Sequence, residues 1–285
     1  MTEGISNAEY HSHPATSKSD LDLAHKSAQH LYDKLFGPPR ESTPTFDFGT
    51  MFHAAVLPGE SLEEIAIRTP DDYDGRTKAG KEFNKRVREE NKLILNAKDG
   101  HAIDQMLANV QKHPFAGGLL NGDFKGKSEQ SFFAVDGETG LELKARPDFI
   151  LDDHSVIIDI KTTMDASFKG FQKSFAAYRY HVQAAWYLWV VELATGKRPD
   201  AFCFVAVEKQ RPYGVGVYVA DADSIEIGMQ EAKEDLAKIA KWKEEDFWPG
   251  YSDNAELMTL PPWMLSKTKP SEVLSHEVTW TPVPE

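Results

Sequence analysis

The chain has few of the features that mark secreted or membrane-spanning proteins. Its 285 residues include one cysteine, Cys203, which excludes an internal disulfide and an iron–sulfur cluster held by four cysteines. A run of about 18 apolar residues is also missing, which excludes a bilayer-spanning helix. Because its first residues, 1–4, are polar and contain no apolar signal segment, we expect a cytoplasmic protein without a membrane partner.

Positive charge is scarce as well, and it is unevenly distributed. The 32 basic and 45 acidic residues give a net charge of −13, which at first argues against a polyanionic partner. Residues 76–98, however, contain eight basic and three acidic residues, whereas residues 221–246 contain nine acidic and four basic ones. A solvated helix is the commoner explanation of a mixed-charge run, but the first run could also line a path for nucleic acid.

Length and composition predict one globular domain followed by a tail. A chain of this length with 41% hydrophobic residues can bury a substantial core. We expect a single domain over residues 1–263, mainly helical in 1–125 and with a sheet core and further helices in 126–263. Residues 264–285 are rich in Pro, Ser, Thr and Lys, which predicts a loosely ordered tail.

Hydrophobic periodicity predicts an α/β fold, a central mixed β-sheet flanked by helices. The predicted helices are Leu21 to Leu35, Phe48 to Leu57, Gly80 to Val110 with a break at 98–100, Phe168 to Ala194, and a last one around Ile225 to Ile239. The predicted strands are Glu129 to Val135, Leu141 to Leu151, Val156 to Thr162, Ala201 to Glu208 and Gly214 to Val219, the first three forming a meander.

Two acids and a lysine stand out on the second and third predicted strands. The turn-forming residues 152–155 fold the segment into a hairpin, which brings Asp148 close to Asp159. Because side chains two apart on a strand share a face, Asp159 and Lys161 point the same way, while Ile158 and Ile160 point to the other side.

This combination predicts a metal-dependent phosphodiesterase. Two carboxylates can anchor Mg²⁺, and a nearby lysine can act on the attacking water or offset phosphate charge. Taken alone, Asp159 and Lys161 would more often form an ordinary surface salt bridge. They continue the apolar run 156–158, however, and unpaired charge on a buried strand is costly unless it has a function.

The motifs of the chain resemble those of a known nuclease superfamily. Pro147, Asp148 and the triplet 159–161 match the signature of the PD-(D/E)xK superfamily. An ordered set of motifs further resembles the nuclease domain of exonuclease VIII (RecE) and its phage relatives over nearly the whole chain. These motifs lie at residues 4–11 (GISNAEYH), 17–21 (SKSDL), 48–53 (FGTMFH), 76–81 (RTKAGK), 159–163 (DIKTT) and 248–251 (WPGY).

The resemblance implies a set of metal ligands. His53, in a Gly-Thr-x-x-His element, is expected to bind the metal together with Asp148, Asp159 and the carbonyl of Ile160. Without the resemblance, a half-buried helix histidine would be the preferred interpretation of His53. The ion is expected to be Mg²⁺, for which Mn²⁺ can substitute.

The resemblance also implies catalytic and supporting residues. Lys161 is expected to act on the water, while Gln183 and Tyr187, four residues apart on one helix face, support the site and the scissile strand. A helix packing face is the alternative for this pair. Glu129 is a weaker candidate for a second metal or water contact, and a surface acid is favoured there.

The expected DNA contacts fall into two groups. Ser17, Lys18 and Ser19 could meet a terminal phosphate, although a helix N-cap explains the serines equally well. The basic residues expected to line the DNA path are Arg76, Lys78, Arg86 and Arg88.

The function implied is a Mg²⁺-dependent exodeoxyribonuclease. It would degrade linear double-stranded DNA from 5′ to 3′ and leave 3′ single strands for annealing recombination, with a single-strand annealing recombinase as a partner. A homo-oligomeric ring around DNA is expected, with four subunits as the first choice and three as the second. The alternatives are a catalytically weak DNA-end-binding module of a recombination or packaging complex, and an endonuclease of the same fold. Strand polarity and substrate come from the resemblance alone.

Overall fold

The helices lie mostly in the first 125 residues and after the central strands. The computed structural model describes residues 5–38, 43–252 and 254–265. The helices in these residues are α1 (Asn7–Ser12), α2 (Lys18–Lys26), α3 (Ala28–Phe36), α4 (Pro44–Val56), α5 (Leu62–Ile65), α6 (Lys78–Glu89), α7 (Ala97–Lys112), α8 (Gly117–Asn121), α9 (Phe168–Ala177), α10 (Tyr180–Thr195), α11 (Ala222–Glu245) and α12 (Pro262–Leu265).

The strands form a mixed five-stranded sheet and two small two-stranded sheets. They are β1 (Ala66–Arg68), β2 (Leu93–Leu95), β3 (Gly126–Ser128), β4 (Phe132–Val135), β5 (Glu142–Ala145), β6 (Phe149–Leu151), β7 (Val156–Thr163), β8 (Ala201–Glu208) and β9 (Val215–Val219). The large sheet has the order β3-β6-β7-β8-β9, with β7 and β8 parallel and the other neighbours antiparallel. The small sheets pair β1 with β2 and β4 with β5.

Both faces of the large sheet are covered by helices, so the predicted α/β fold with a flanked mixed sheet is confirmed. One face packs against α2, α10 and α11 in an apolar cluster that includes Trp186 and Phe204. The other face packs against α4, α7 and α8 in a cluster that includes Phe52 and Ile103. Strand β8 serves both clusters because its side chains alternate, and Cys203 is buried in it as expected.

Strand β7 places its two charged residues on the α10 face. Ile158 and Ile160 belong to the cluster under α4 and α7, whereas Ile157 belongs to the cluster under α10. Asp159 and Lys161 share the face of Ile157 because they follow it at spacings of two. The predicted orientation of these side chains is confirmed.

The predicted meander is wrong, because the strand expected from Leu141 to Leu151 is two strands. β5 pairs with β4 in a small sheet, whereas β6 pairs with β3 and β7 in the large one. Pro147 lies between them, and proline has no N–H to donate to a ladder. The strand expected from Glu129 begins at Phe132, since Glu129 has a left-handed φ of 51°.

Three predicted helices are also divided or shifted. The helix expected from Leu21 to Leu35 is interrupted at Ser27, whose extended backbone and side chain cap α3. The helix expected from Phe168 to Ala194 is interrupted before α10 by Arg179, with a φ of 53°. The break expected at 98–100 lies earlier, at β2, because the Asn96 side chain caps α7 by accepting from the Asp99 N–H.

The described residues divide into two compact units, Met1–Pro249 and Gly250–Glu285. The domain boundary expected after residue 263 stays a prediction, and residues 266–285 of the expected tail lie outside the described residues. Among the described helices, none has the length and apolar character needed to cross a membrane.

A buried ion network fixes the start of α10 against its neighbours. The Arg179 guanidinium lies 2.6 Å from Asp235, 3.0 Å from Glu231 and 3.2 Å from Asp22, which joins α10 to α11 and α2. Asp235 is 1% exposed, so its buried negative charge depends on the ion pair with Arg179. Gly228 allows close packing, since a Cβ there would lie 2.3 Å from the His181 carbonyl oxygen.

We expect Arg179→Met to destabilise the protein by about 3 kcal/mol, because it leaves the buried Asp235 carboxylate without its closest partner. Urea unfolding followed by circular dichroism measures the change. Arg198→Met is the matched control, since the Arg198–Glu192 pair is exposed and is expected to contribute less than about 1 kcal/mol. Equal unfolding midpoints for the two variants would contradict a stabilising role of the network.

Candidate metal centre

Asp148 lies between β5 and β6, where the chain passes from a small sheet to the large one. The backbone pairing of β6 with β7 runs from Ile157 to Ile158, and the Asp148 carboxylate then accepts the Ile160 N–H at 2.6 Å. The side chain thus continues the ladder at the position where Pro147 prevents a strand. The N–H and C=O of one strand residue point to the same side, so the Ile160 carbonyl faces this edge too. Its expected role as a metal ligand stays a prediction.

Asp159 is the most deeply buried acid of the site, with 1% of its surface exposed. Its Oδ2 accepts from Gln183 Nε2 at 2.7 Å. Its Oδ1 lies 2.6 Å from Lys161 Nζ, an ion pair outside the angles of a hydrogen bond, and has no hydrogen-bond donor among the described residues. Burial raises the pKa of Asp159 to about 6. In the absence of a metal ion, the Lys161 ammonium is therefore the partner of this buried oxygen.

Lys161 lies between an aromatic ring and the two acids. Its ammonium stands 4.9 Å from the centre of the Tyr180 ring, which provides a cation–π contact. Burial by itself lowers the pKa of Lys161, but the Asp159 and Asp148 carboxylates outweigh burial and raise it. Without a metal ion, Lys161 is therefore a cation at neutral pH.

Three side chains from separate elements converge beside Asp148. One ligand atom each from His53 in α4, Glu129 between β3 and β4, and Asp148 lies within 4.8 Å of the others. His53 Nδ1 is 3.6 Å from Asp148 Oδ1, and the Glu129 N–H donates to the Asp148 carbonyl at 3.0 Å. Asp159 is not a member of this three-residue group.

The charges of these three residues are strongly coupled. Burial alone would raise the pKa of Asp148, but His53 and Lys161 outweigh it and lower that pKa. Burial likewise opposes the charged form of His53, and the Asp148 carboxylate outweighs it to raise the His53 pKa. Burial, and then Asp148, raise the pKa of Glu129 to about 7, although Arg146 lies 2.9 Å from it. Glu129 is therefore partly protonated near neutral pH when no cation is bound, and Asp159 takes up a proton at a somewhat lower pH.

The donor set fits a divalent cation of the Mg²⁺ or Mn²⁺ type. Carboxylate oxygens and one imidazole suit these ions, and Asp159 offers a buried oxygen without a hydrogen-bond donor. The structure brings the expected ligands His53 and Asp148 together and adds Glu129, for which the sequence favoured a surface acid. The signal that pointed to Glu129 was its position just ahead of an apolar strand. The motif resemblance gave no ligand there.

Gln183 and Tyr187 both reach the site region from α10. Gln183 is buried and holds Asp159 through the hydrogen bond described above. Tyr187 packs against Phe202, with ring centres 6.0 Å apart. Burial raises the Tyr187 pKa well above its ordinary value, and the site carboxylates add to the shift. The roles expected for this pair stay predictions.

The first group of expected DNA contacts, residues 17–19, lies at the start of α2. Ser17 donates its hydroxyl to Asp20 at 2.6 Å and lies 2.9 Å from the Ser19 hydroxyl, so the helix start engages both serines. Lys18 donates to the Tyr178 carbonyl at 3.0 Å and pairs with Asp22. Burial lowers the pKa of Lys18, Asp22 opposes this, and Lys161 adds to the lowering. Lys18 is therefore a second cation close to Lys161.

The second group lies on and beside α6. Arg76 is highly exposed and pairs with Asp74 at 2.8 Å, and Arg86 stands 5.3 Å from the Phe83 ring centre. Arg88 helps to line an open cavity of about 540 Å³ with Lys81, Lys85, Gly75, Asn84 and Glu89. Lys78 is exposed and pairs with Glu82 at 4.0 Å. Binding of DNA by these residues stays a prediction.

We expect Glu129→Gln to weaken Mn²⁺ binding about tenfold or more, since it removes a charged oxygen ligand. Isothermal titration calorimetry measures the change. Glu138→Gln is the control, because Glu138 is an exposed acid whose partner is Lys233 on α11. Equal Mn²⁺ affinity in the wild type and Glu129→Gln would show that Glu129 is not a ligand.

The same titrations should depend on pH. Protons on Glu129, Asp159 and His53, whose pKa is also raised, compete with the cation, so affinity should rise as pH passes through about 6 and about 7. The metal-free protein should lose stability over the same range, because its folded state holds these protons more tightly than the unfolded chain does. Glu129→Gln should reduce the protons released on binding, as measured in buffers of different ionisation enthalpy. An unchanged release would contradict the assignment.

Comparison with known proteins shows the family and the fold. The family model of a PDDEXK-like domain of unknown function, DUF3799, matches residues 17–261. No curated protein matches the chain.

Solved structures with a similar fold include several exonucleases. A proposed exonuclease from Eubacterium rectale has 13% identity and a TM-score of 0.61, covering 93% of this chain and 98% of its own. A phage-related exonuclease from Haemophilus somnus 129PT has 11% identity and a TM-score of 0.40, covering 86% and 91%. An alkaline exonuclease from Laribacter hongkongensis has 13% identity and a TM-score of 0.30, covering 69% and 97%.

The first of these structures shares the fold over almost the whole length of both chains, and the other two carry no further argument. The family match spans most of the present chain and includes Asp148, Asp159 and Lys161. The protein therefore belongs to the DUF3799 family of PDDEXK-like domains, which confirms the resemblance of its motifs to the PD-(D/E)xK superfamily.

Proposed function

We propose that the protein is a metal-dependent exodeoxyribonuclease that acts on linear double-stranded DNA. The observation that carries this proposal is the meeting of Asp148, Asp159 and Lys161 at one edge of β7, with His53 and Glu129 beside them. PDDEXK-like nucleases use divalent metals for phosphodiester hydrolysis, and these donors fit such an ion. The action from 5′ to 3′ and the supply of 3′ single strands for annealing follow the resemblance, and they belong to the proposal together with the cytoplasmic location.

The side chains of the site divide the chemical work. Asp148, Asp159, His53 and Glu129 would hold Mg²⁺, which polarises a phosphoryl oxygen and makes a bound water more acidic. Lys161 places a positive charge beside the carboxylates, where it offsets charge that develops on the phosphate or orients the water.

Gln183 acts on the geometry of the site. Its amide fixes the orientation of the Asp159 carboxylate, so Oδ1 stays directed toward Lys161. A carboxylate whose orientation is set before substrate arrives needs less rearrangement in the transition state.

We expect Lys161→Ala to lower kcat about a hundredfold or more while Mn²⁺ and DNA affinities change little, since a transition-state contact affects rate more than binding. Asp159→Asn should abolish cleavage without unfolding the protein. Lys161→Arg should not restore activity, because the larger, planar guanidinium must fit into the space between Asp159 and Tyr180. Asp152→Asn, at an exposed acid of the same hairpin, is the control and should leave activity unchanged.

The assay uses linear and covalently closed duplexes, each with Mg²⁺ or EDTA. Loss of linear DNA alone in Mg²⁺ supports the exonuclease, whereas loss of the closed duplex would indicate an endonuclease of the same fold. Binding of ends without cleavage would indicate the DNA-end-binding module of a recombination or packaging complex. Near-normal cleavage by Asp159→Asn would show that the site is wrongly assigned.

We also propose that the active form is a closed ring around DNA, with four subunits as the first choice and three as the second. A chain of net charge −13 needs a reason to stay on a polyanion at moderate salt, and enclosure supplies one. The basic run 76–98 would face the DNA, and the acidic run 221–246 would face solvent. The single-strand annealing partner expected from the resemblance would receive the 3′ strand.

We expect native mass spectrometry and light scattering to show this oligomer at working concentration. Reversing the charges of Arg86 and Arg88 should shorten the tracts digested per binding event more than it lowers the chemical rate. Reversing Lys112, a basic residue at the end of α7 outside the run, is the control. A monomer that digests long duplexes processively would contradict the ring.

A further inference from the structure

A segment that is rich in aromatic residues and contains no acidic ones follows β7, the strand that carries Asp159 and Lys161. Residues 166–191 contain no aspartate or glutamate, although the chain has 45 acidic residues. This stretch comprises α9, the turn after it and most of α10. Its exposed helix α9 carries Lys169 and Lys173 between phenylalanines. In an acidic protein, such a stretch offers a local surface that a polyanion can approach.

Large apolar side chains are exposed on this surface. Phe168 is 66% exposed, Tyr178 is 63% exposed and Met164, at the end of β7, is 60% exposed. Water contact on this scale costs free energy that a folded protein usually avoids by turning such side chains inward. A clustered set of them marks a place where something else binds.

The exposed rings pack against a group of other aromatic side chains. Phe171 is buried and stacks with Tyr180 and Tyr218 at centroid distances of 5.8 and 5.2 Å. Phe168 contacts Tyr218 at 6.0 Å, and Tyr178 contacts Tyr180 at 5.6 Å. The exposed rings are therefore held in place before any ligand arrives, which lowers the entropy cost of binding.

Tyr178 connects this surface to the catalytic lysine. Its ring touches that of Tyr180, which lies 4.9 Å below the ammonium of Lys161. Its backbone carbonyl accepts from Lys18, the second cation of the site. A phosphate held near these two lysines would place the attached nucleoside within reach of the Tyr178 ring.

We propose that Tyr178 is a stacking platform for an unpaired nucleobase of the strand being cut, and that Phe168 extends the platform along α9. The inference rests on the proposed nuclease function and adds how the enzyme holds a frayed end. Aromatic rings interleaved with lysines suit single-stranded nucleic acid, since every base offers a π-face and every phosphate a charge. A purely apolar protein partner would not account for the lack of acids over residues 166–191.

The test is a coupling measurement between the Tyr178 ring and the base. Fluorescence anisotropy in EDTA compares a duplex with a short 5′ single-stranded end and the same duplex with abasic sites in that end. Tyr178→Ala should weaken binding of the normal end about tenfold but change binding of the abasic end by less than about twofold. Tyr178→Phe, which keeps the ring, should bind both ends like the wild type. Phe247→Ala is the control, because Phe247 is an exposed aromatic residue just after the C-cap of α11. It should change the binding of neither DNA end.

Two outcomes would overturn the stacking inference. If Tyr178→Ala weakens binding of the normal and the abasic end equally, the role of Tyr178 is structural or a backbone contact. If it weakens binding of neither end, the surface binds a different partner. Digestion of linear duplex by the wild type in Mg²⁺, run in parallel, reports on the proposed function. Coupling between Tyr178 and the base without digestion would support the stacking platform and contradict the exonuclease. Digestion without this coupling would support the exonuclease and contradict the platform.

Discussion

The hydrogen bond from the Ile160 N–H to the Asp148 carboxylate is the contact on which the site depends. It forms because Pro147 ends one strand and the side chain of the next residue takes over the pairing with β7. The backbone carbonyl of Asp148 meanwhile accepts from Glu129. Asp148 thus holds its own carboxylate against the edge of β7 and, through its carbonyl, fixes the position of Glu129. The sheet itself, with helices on both faces, gives this residue its rigid surroundings.

The excess of acid at this edge is tolerable only because protons or cations offset it. Burial opposes charge on Asp159 and Glu129 and raises their pKa values to about 6 and about 7, so protons offset part of the charge when no cation is bound. Lys161 offsets part of the charge, and Gln183 satisfies one oxygen. Beside them, His53, Glu129 and Asp148 converge in a set of donors that suits a divalent cation. The electrostatics therefore favour a cation site over a purely stabilising cluster.

The parts of the site that the sequence predicts are those governed by local periodicity. The period of two on a strand places Asp159 and Lys161 together, and the turn at 152–155 brings Asp148 near. Glu129 and Arg179 could not be placed this way. Both are non-glycine residues with left-handed backbones, a conformation that tertiary contacts impose and that composition does not reveal. The same holds for the division of one expected strand between two sheets, which depends on what each half packs against.

Net charge is a poor guide to this protein's ligand because charges act over short distances. At physiological salt the screening length is about 8 Å, so an acid farther than this from the site has little effect on a bound phosphate. Lys18 on α2 and Lys161 on β7 each pair with one acid, Asp22 and Asp159, and residues 166–191 of the adjoining segment contain no acid. On α11 the acids Glu231 and Asp235 are instead neutralised by Arg179. A DNA end therefore meets the charges of the few side chains around it, and these include Lys18 and Lys161 whatever the net charge of the whole chain.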